Sequence, residues 1–159
     1  MSDDISVERV LAPTDEVRSL IEDLEGELSV HYAAAQRHGL KLEEIFRPHI
    51  RFFVARINGE AIGCGGVALS AGFAEVKRMY VRPGSRGSGA ADAIIARLQS
   101  EAAQMGLNVL RLETGTAQLA AIRFYERHGF AICPPFEPYV LMEPHAIETS
   151  VFMEKRIST

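Results

Sequence analysis

The sequence predicts an α/β fold whose mixed sheet has about seven strands and about four flanking helices. Residues 52–81 contain three apolar-rich runs separated by short turns, which is typical of an antiparallel meander. A strand, a helix and another strand then follow between residues 73 and 114. Strands joined by a crossover helix lie parallel. One chain with both kinds of pairing forms a mixed sheet.

Length, charge and composition place the chain among ordinary globular proteins. Its 159 residues contain no repeat or long linker, so we expect one domain over 1–159. The net charge of −4 argues against nonspecific nucleic-acid binding, which depends on Lys and Arg contacts with phosphate. Apolar runs are too short to span a bilayer, and the acidic start, Met1–Asp4, is unlike a signal peptide. Cys64 and Cys133 lack metal-like spacing, so we expect a reduced, cytoplasmic setting without membrane partners.

A strand and two helices are expected first. Residues 5–11 alternate as a strand, and Thr14 or Asp15 can cap the helix that follows. Five apolar residues continue at helical spacing: Val17, Leu20, Ile21, Leu24 and Leu28. We expect this helix to run to about Arg37 and to end at the glycine two residues later. A second, short helix over 41–47 should stop at the next proline.

The meander and the second half of the chain supply the remaining elements. Asn58-Gly59 is a strong signal for a two-residue hairpin turn. The expected strands on either side of it and after it are 52–57, 61–69 and 73–81. The later elements, in order, are an amphipathic helix closed by Gly106, a strand at 107–114, a helix at 117–128 closed by Gly129, and strands at 130–133 and 147–157.

The most informative segment is a glycine-rich turn between a strand and a helix, Arg86-Gly87-Ser88-Gly89-Ala90-Ala91. Backbone N–H groups and the helix dipole can hold an anion there. A P-loop would need Lys and then Ser or Thr after the last glycine, and this chain has Ala90 and Ala91. The dinucleotide pattern GxGxxG is also missing, since the glycines of residues 84–89 follow the order GxxGxG. A flexible connector is the plain structural alternative.

This turn resembles the acetyl-CoA loop of the GNAT superfamily of N-acetyltransferases, [Q/R]-x-x-G-x-[G/A], at every fixed position. The preceding segment, Met79–Pro83, is similar to the family's strand end, V-x-P. Downstream, residues 118–130 resemble its N-x-x-A-x-x-F-Y-x-x-x-G-F segment, with Gln118 in place of the usual Asn. Both motifs occur in the family's order with a helix and a strand between them. The chain is therefore identified as a member, with acetyl-CoA as the acyl donor.

The resemblance implies a splayed pair of parallel strands, at 73–81 and 107–114, that admits the pantetheine arm. Acetyl-CoA would then contact the residues Met79, Tyr80, Val81, Arg86, Gly87, Ser88, Gly89, Ala90, Ala91, Gln118 and Tyr125. The family's reaction needs no metal, and the five histidines show no metal-site spacing. Dimers are common among such proteins, so a homodimer is possible.

Acyl transfer from a thioester to an amine needs a base for the amine and a proton for the thiolate. Tyr125 stands where the family places a tyrosine near the CoA sulfur, so we predict that it is the acid. Glu75 precedes the cofactor strand end as does the general base of some members. Glu113 and an ordered water are competing bases, and Glu75 could instead form a solvated ion pair with Lys77. Strand alternation would put Glu75, Lys77, Met79 and Val81 on one face.

The acceptor site should come from the first helices and the late proline-rich loop. Its candidate residues are Glu27, His31, Tyr32, Arg78, Phe136 and Tyr139. The predicted function is transfer of an acetyl group to the amine of a small molecule, by direct attack in a ternary complex. A protein-lysine acetyltransferase and a non-catalytic CoA-binding regulatory module are the alternatives.

Overall fold

The computed structural model describes residues 4–157, so the residues that argue against a signal peptide, Met1–Asp3, lie outside the described part. Its seven strands are β1 (Ile5–Arg9), β2 (Ile50–Ile57), β3 (Glu60–Ser70), β4 (Phe73–Val81), β5 (Val109–Gly115), β6 (Ala131–Ile132) and β7 (Ser150–Arg156). The helices are α1 (Asp15–His31), α2 (Ala90–Gln104), α3 (Leu119–Arg127) and α4 (Pro144–Ile147). The strands form one sheet in the order β1-β2-β3-β4-β5-β7-β6, with only β4 and β5 parallel. The predicted mixed α/β fold is confirmed.

Helices cover both faces of the sheet. On one face α2 packs Ile94 and Leu98 against Phe53 of β2 in the largest core cluster. On the other face α1 packs Val17 and Leu20 in a second cluster. Thr14 caps α1, its side chain accepting the N–H of Val17 at 3.2 Å, as its residue type favours. In the described residues, the model has no helix long and apolar enough to cross a membrane.

Two helix predictions were wrong. Helix α1 ends at His31 rather than near Arg37, because Tyr32 takes an extended backbone and its hydroxyl accepts the N–H of Ala117 at 3.0 Å. The expected helix at 41–47 is only a 3₁₀ turn, Leu42–Glu44. In the first case a contact with a distant residue replaces the last turns of the predicted helix. The last strand also begins later than expected, after the short helix α4.

A β-bulge interrupts β4 just before Met79, the first residue predicted to contact acetyl-CoA. Cys64 pairs with Tyr80 and Gly66 with Lys77, so β4 has one residue more than β3 between these pairs. Arg78 takes a left-handed backbone there, with φ 55°, which is uncommon outside glycine.

The bulge overturns the predicted alternation along β4. Met79 and Val81 pack on the α2 side with Val76, while Tyr80 packs against the α1 cluster. They therefore do not share a face with Glu75 and Lys77, because the extra residue resets the alternation of side chains.

Strands β4 and β5 pair over three residues only. Ala74, Glu75 and Val76 lie beside residues 110–112, and no pairing continues beyond Val76 among the described residues. The two strands separate from this point, which leaves a gap between their carboxyl ends. Antiparallel pairing with β7 holds β5 along Val109–Gly115, so the gap is a stable part of the sheet.

Candidate active site

A groove of about 910 Å³ crosses the open end of the sheet. One wall is the bulged end of β4, with Met79, Tyr80 and Val81. The opposite wall is helix α3 with Tyr125, together with Gln118, the residue just before the helix. The glycine-rich loop closes one end through Arg86, Gly87, Gly89, Ala90 and Ala91.

The loop at the end of the groove is shaped for an anion. Gly87 and Gly89 both have positive φ, 81° and 92°, which glycine adopts without a steric penalty. Helix α2 begins at the next residue, so its first N–H groups and its dipole face this end of the groove. Ser88 does not line the groove. Its hydroxyl instead accepts the N–H of Ala90 at 3.3 Å.

Arg86 is fixed between the end of β4 and helix α1. Its Nε donates to the carbonyl of Val81 at 2.9 Å, and Nη2 donates to both carboxylate oxygens of Glu27 at 3.0 Å. Glu27 and His31, candidates for the acceptor site, both line this larger groove on the α1 side. The structure therefore places them beside the cofactor candidates rather than in the smaller cavity described below.

We expect Gly89→Asp to weaken acetyl-CoA binding about 10- to 100-fold, because it adds strain at a positive φ and a negative charge where phosphate should lie. Titration calorimetry measures the dissociation constant. Gly84→Asp is the matched control, since a Cβ at Gly84 meets nothing within 4 Å and the residue lies outside the groove. Equal affinities for the two variants would contradict the phosphate assignment.

Tyr125 lies where the groove meets a second cavity. The residue is 6% exposed, lines both spaces and stacks edge-on against Phe124 and Phe130 at 5.4 and 5.5 Å between ring centroids. Its hydroxyl has no hydrogen-bond partner among residues 4–157. Burial raises the pKa of Tyr125 above its ordinary value, so the phenol stays protonated at neutral pH. A free donor at this junction can give a proton to a group in the groove.

The second cavity, about 130 Å³, lies between α1, the separated strands β4 and β5, and the loop before the meander. It shares Met79, Gln118 and Tyr125 with the groove. Its other polar lining residues are Tyr32, Gln36, Arg37, His38, Glu75, Lys77, Arg78, Glu113, Thr114 and Tyr139. A reactant here and a thioester in the groove would meet beside Tyr125.

Glu75 is held in this cavity by two side chains. Tyr139 donates its hydroxyl to Oε2 of Glu75 at 2.5 Å, and the ammonium of Lys77 lies 3.2 Å from the same oxygen. Lys77 also donates to the Tyr139 hydroxyl at 2.8 Å. Burial, with the negative charge of Glu75, raises the pKa of Tyr139. The predicted Glu75–Lys77 pair exists, but its side chains are 7% and 14% exposed, so it is buried rather than solvated.

Glu113, the competing base, lies on β5 across the gap. Ser150 donates a hydrogen bond to it at 2.7 Å. Burial is the main cause that raises the pKa of Glu113, and the nearby negative charge of Glu75 adds to it. Two carboxyl groups therefore face the same small cavity from the two separated strands.

Tyr32 closes one side of the cavity by bridging α1 to the turn before α3. Its ring lies where only glycine fits, because a Cβ on Gly115 would come within 1.9 Å of the Tyr32 oxygen. We expect Gly115→Ala to lower the free energy of unfolding by about 1–3 kcal/mol, measured by urea denaturation, through overpacking and loss of the Ala117 hydrogen bond. Gly26→Ala on α1, where a Cβ meets nothing within 4 Å, should cost no stability. Equal stability of Gly115→Ala and the parent would show that Tyr32 moves freely.

The remaining acceptor candidates separate into two groups. Arg78 and Tyr139 line the small cavity. Phe136 does not: its ring packs against Tyr139 and Phe152 in a separate core cluster. Arg37 and His38 also line the small cavity, which their helical spacing in the sequence does not predict, because it places them at the end of a helix. Within the described residues, His, Cys, Asp and Glu form no group of three that could hold a metal ion.

Comparisons with known proteins show the family to which this chain is similar. The family model of the acetyltransferase (GNAT) family matches residues 16–130. The IAA acetyltransferase of Azospirillum brasilense is 40% identical over 153 residues, which cover 95% of this chain and 97% of that protein. A crystal structure from Klebsiella pneumoniae, provisionally assigned as an acyl-CoA N-acyltransferase, is 32% identical with a TM-score of 0.78 over 97% of this chain and 98% of the other.

A more distant structure shares the fold. It is a GNAT-family acetyltransferase from Elizabethkingia anophelis with acetyl-CoA bound, 17% identical, with a TM-score of 0.69 over 98% of this chain and all (100%) of that chain.

Proposed function

This chain belongs to the acetyltransferase (GNAT) family, and we propose on that premise that it moves an acetyl group from acetyl-CoA to the amine of a small molecule. The observation that carries the proposal is the junction of two spaces at Tyr125. One is a long groove with an anion-binding end, and the other is a small polar cavity. A donor and an acceptor can occupy them together, as direct attack in a ternary complex requires.

The groove suits acetyl-CoA as donor. The pyrophosphate would lie on the N–H groups of the loop at 86–91, and the pantetheine arm would pair with the backbone of β4 near Met79 and Val81. The unpaired side of β4 beyond Val76 supports this second contact, since β5 no longer pairs there. A backbone N–H near Met79 would stabilise the oxyanion of the tetrahedral intermediate.

The reaction then needs two proton transfers. The neutral amine attacks the thioester carbonyl, a C–N bond forms, and the C–S bond breaks as the intermediate collapses. Glu75, directly or through water, takes the amine proton, and Tyr125 gives a proton to the departing thiolate. Burial raises the pKa of the Cys64 thiol to about 12 in this protein. A CoA thiolate in a similarly dry site would become more basic too, so a phenol of raised pKa can still protonate it.

The size of the cavity supports a small acceptor. A volume of 130 Å³ resembles that of an engineered cavity of about 150 Å³ that binds benzene. A compact amine or the tip of a side chain fits, whereas a folded protein surface would have to reach it through an opening. The similarity to a protein named IAA acetyltransferase also favours a small molecule.

The proposal is tested by measuring thiol release from acetyl-CoA over a panel of amines, with the acetylated product identified by mass spectrometry. We expect turnover with small amines and little with lysine-containing peptides. Acetyl-CoA binding without turnover of any amine would favour a CoA-binding regulatory module, and efficient turnover of the peptides only would favour a protein-lysine acetyltransferase.

A further inference from the structure

Two arginine side chains share one carboxylate at one end of the small cavity. Nη1 of Arg37 lies 2.7 Å from Oε2 of Glu25, and Nη2 of Arg78 lies 2.5 Å from Oε1 of the same residue. Both arginines line the cavity and Glu25 does not. One negative charge therefore balances two positive charges, which leaves this end of the cavity positive.

The two guanidinium groups also have uncommitted donors. The Arg78 side chain is 5% exposed, and its Nε donates to the carbonyl of Leu40 at 2.8 Å. It lies against Gly39, where a Cβ would come within 2.1 Å of the guanidinium carbon. Its Nη1 bonds no residue in the range 4–157, and the Arg78 side chain lines the cavity. In Arg37, only Nη1 is committed, to Glu25; Nη2 forms no hydrogen bond with the described residues, and Nε is buried without a partner among them.

The opposite charge lies in the gap between the strands. Glu75 is already paired with Lys77, whereas Glu113 forms no ion pair within the described part of the chain. The pKa of Glu113 is raised chiefly by burial, and an ammonium group beside it would stabilise its ionised form. The cavity is thus positive beside Arg37 and Arg78 and prepared for a cation beside Glu113.

We propose that the acceptor carries a carboxylate as well as its amine, as an amino acid does. Its carboxylate binds the free donors of Arg37 and Arg78, and its amine points to Glu75 and Glu113. Guanidinium groups suit this task because their N–H groups match the two oxygens of a carboxylate. The reverse orientation would bring the carboxylate of the acceptor against those of Glu75 and Glu113, so charge also sets the direction of binding. This inference rests on the proposed acetyl transfer and names its substrate class.

The test compares each of the common L-amino acids with its own carboxamide, which keeps the amine and the side chain but removes the negative charge. We expect the best amino acid to exceed its amide at least 10-fold in kcat/KM, mainly through a lower KM. Arg37→Gln should reduce this ratio to less than about 3, because it removes one of the two binding groups. Arg37 is chosen over Arg78 because Arg78 is buried at a strained backbone position.

Two further variants separate binding from structure. Arg47→Gln is the matched control, since that side chain is 58% exposed and lies outside the cavity, and it should leave the ratio unchanged. Glu25→Gln removes the shared counter-charge, so it should lower the KM for amino acids several-fold without lowering it for amides. If the cluster were purely structural, Arg37→Gln and Glu25→Gln would not change the preference for amino acids over amides in opposite directions.

The outcomes distinguish a failure of this substrate class from a failure of the proposed acetyl transfer on which it rests. If amides, or amines without a carboxylate, are acetylated as well as the amino acids, the substrate class is wrong and the acetyl transfer stands. If no amine of either panel is acetylated although acetyl-CoA binds, the acetyl transfer fails and this inference fails with it.

Discussion

Tyr125→Phe should lower kcat about 10²–10⁴-fold, the usual contribution of one acid or base, which corresponds to about 2.7–5.4 kcal/mol of transition-state stabilisation. The hydroxyl is the only group removed, and it stands free at the junction of the two cavities. Without it, the departing thiolate loses its proposed proton donor. The measurement is kcat with the best amine of the panel, under saturating acetyl-CoA.

Two further measurements isolate the acid role from packing. The free energy of unfolding should stay close to the parent's, because the hydroxyl bonds none of the described residues and the ring contacts with Phe124 and Phe130 remain. The affinity for acetyl-CoA should also change little. Unchanged turnover in Tyr125→Phe would leave the residue as packing between α3 and the cofactor.

Glu75→Gln should lower kcat/KM about 100-fold or more at neutral pH while acetyl-CoA binding stays intact. Gln keeps the size of the side chain and can still accept from Tyr139, but it cannot take a proton. The rise of rate with pH should therefore move toward the pKa of the free amine, which is about 10 for amines of the lysine type. The pH–rate profile of the variant against that of the parent is the measurement.

Controls for Glu75→Gln come from two other glutamates. Glu101→Gln also removes a buried carboxylate from an ion pair, with Arg51 at 3.5 Å, but Glu101 lies outside both cavities and activity should persist. Glu113→Gln tests the competing base. A displaced profile in Glu113→Gln alone would move the base role to β5, and parent-like profiles in both variants would assign it to water.

The sequence by itself determined the fold class, and it predicts the cofactor loop. The loop at 86–91 and the segment at 118–130 are continuous stretches, in which glycine conformation, the beginning of a helix and the position of Tyr125 are local properties. Such features depend on neighbours a few residues apart, so they can be recognised without a structure. In the folded chain, residues of both segments line the same groove.

Tertiary structure decided which residues line the small cavity. Arg37 and His38 follow a helical pattern in the sequence. In the structure, the Tyr32 hydroxyl accepts a hydrogen bond from the Ala117 N–H, α1 ends early, and their segment lies at the cavity. Contacts over such distances along the chain leave no periodic signal in the sequence.

The bulge at Arg78 had the same kind of effect on β4. One extra residue in a strand moves every later side chain to the other face, so Met79 and Val81 lie away from Glu75. The opposed charges of the cavity therefore exist only once α1, the meander and β5 have packed together.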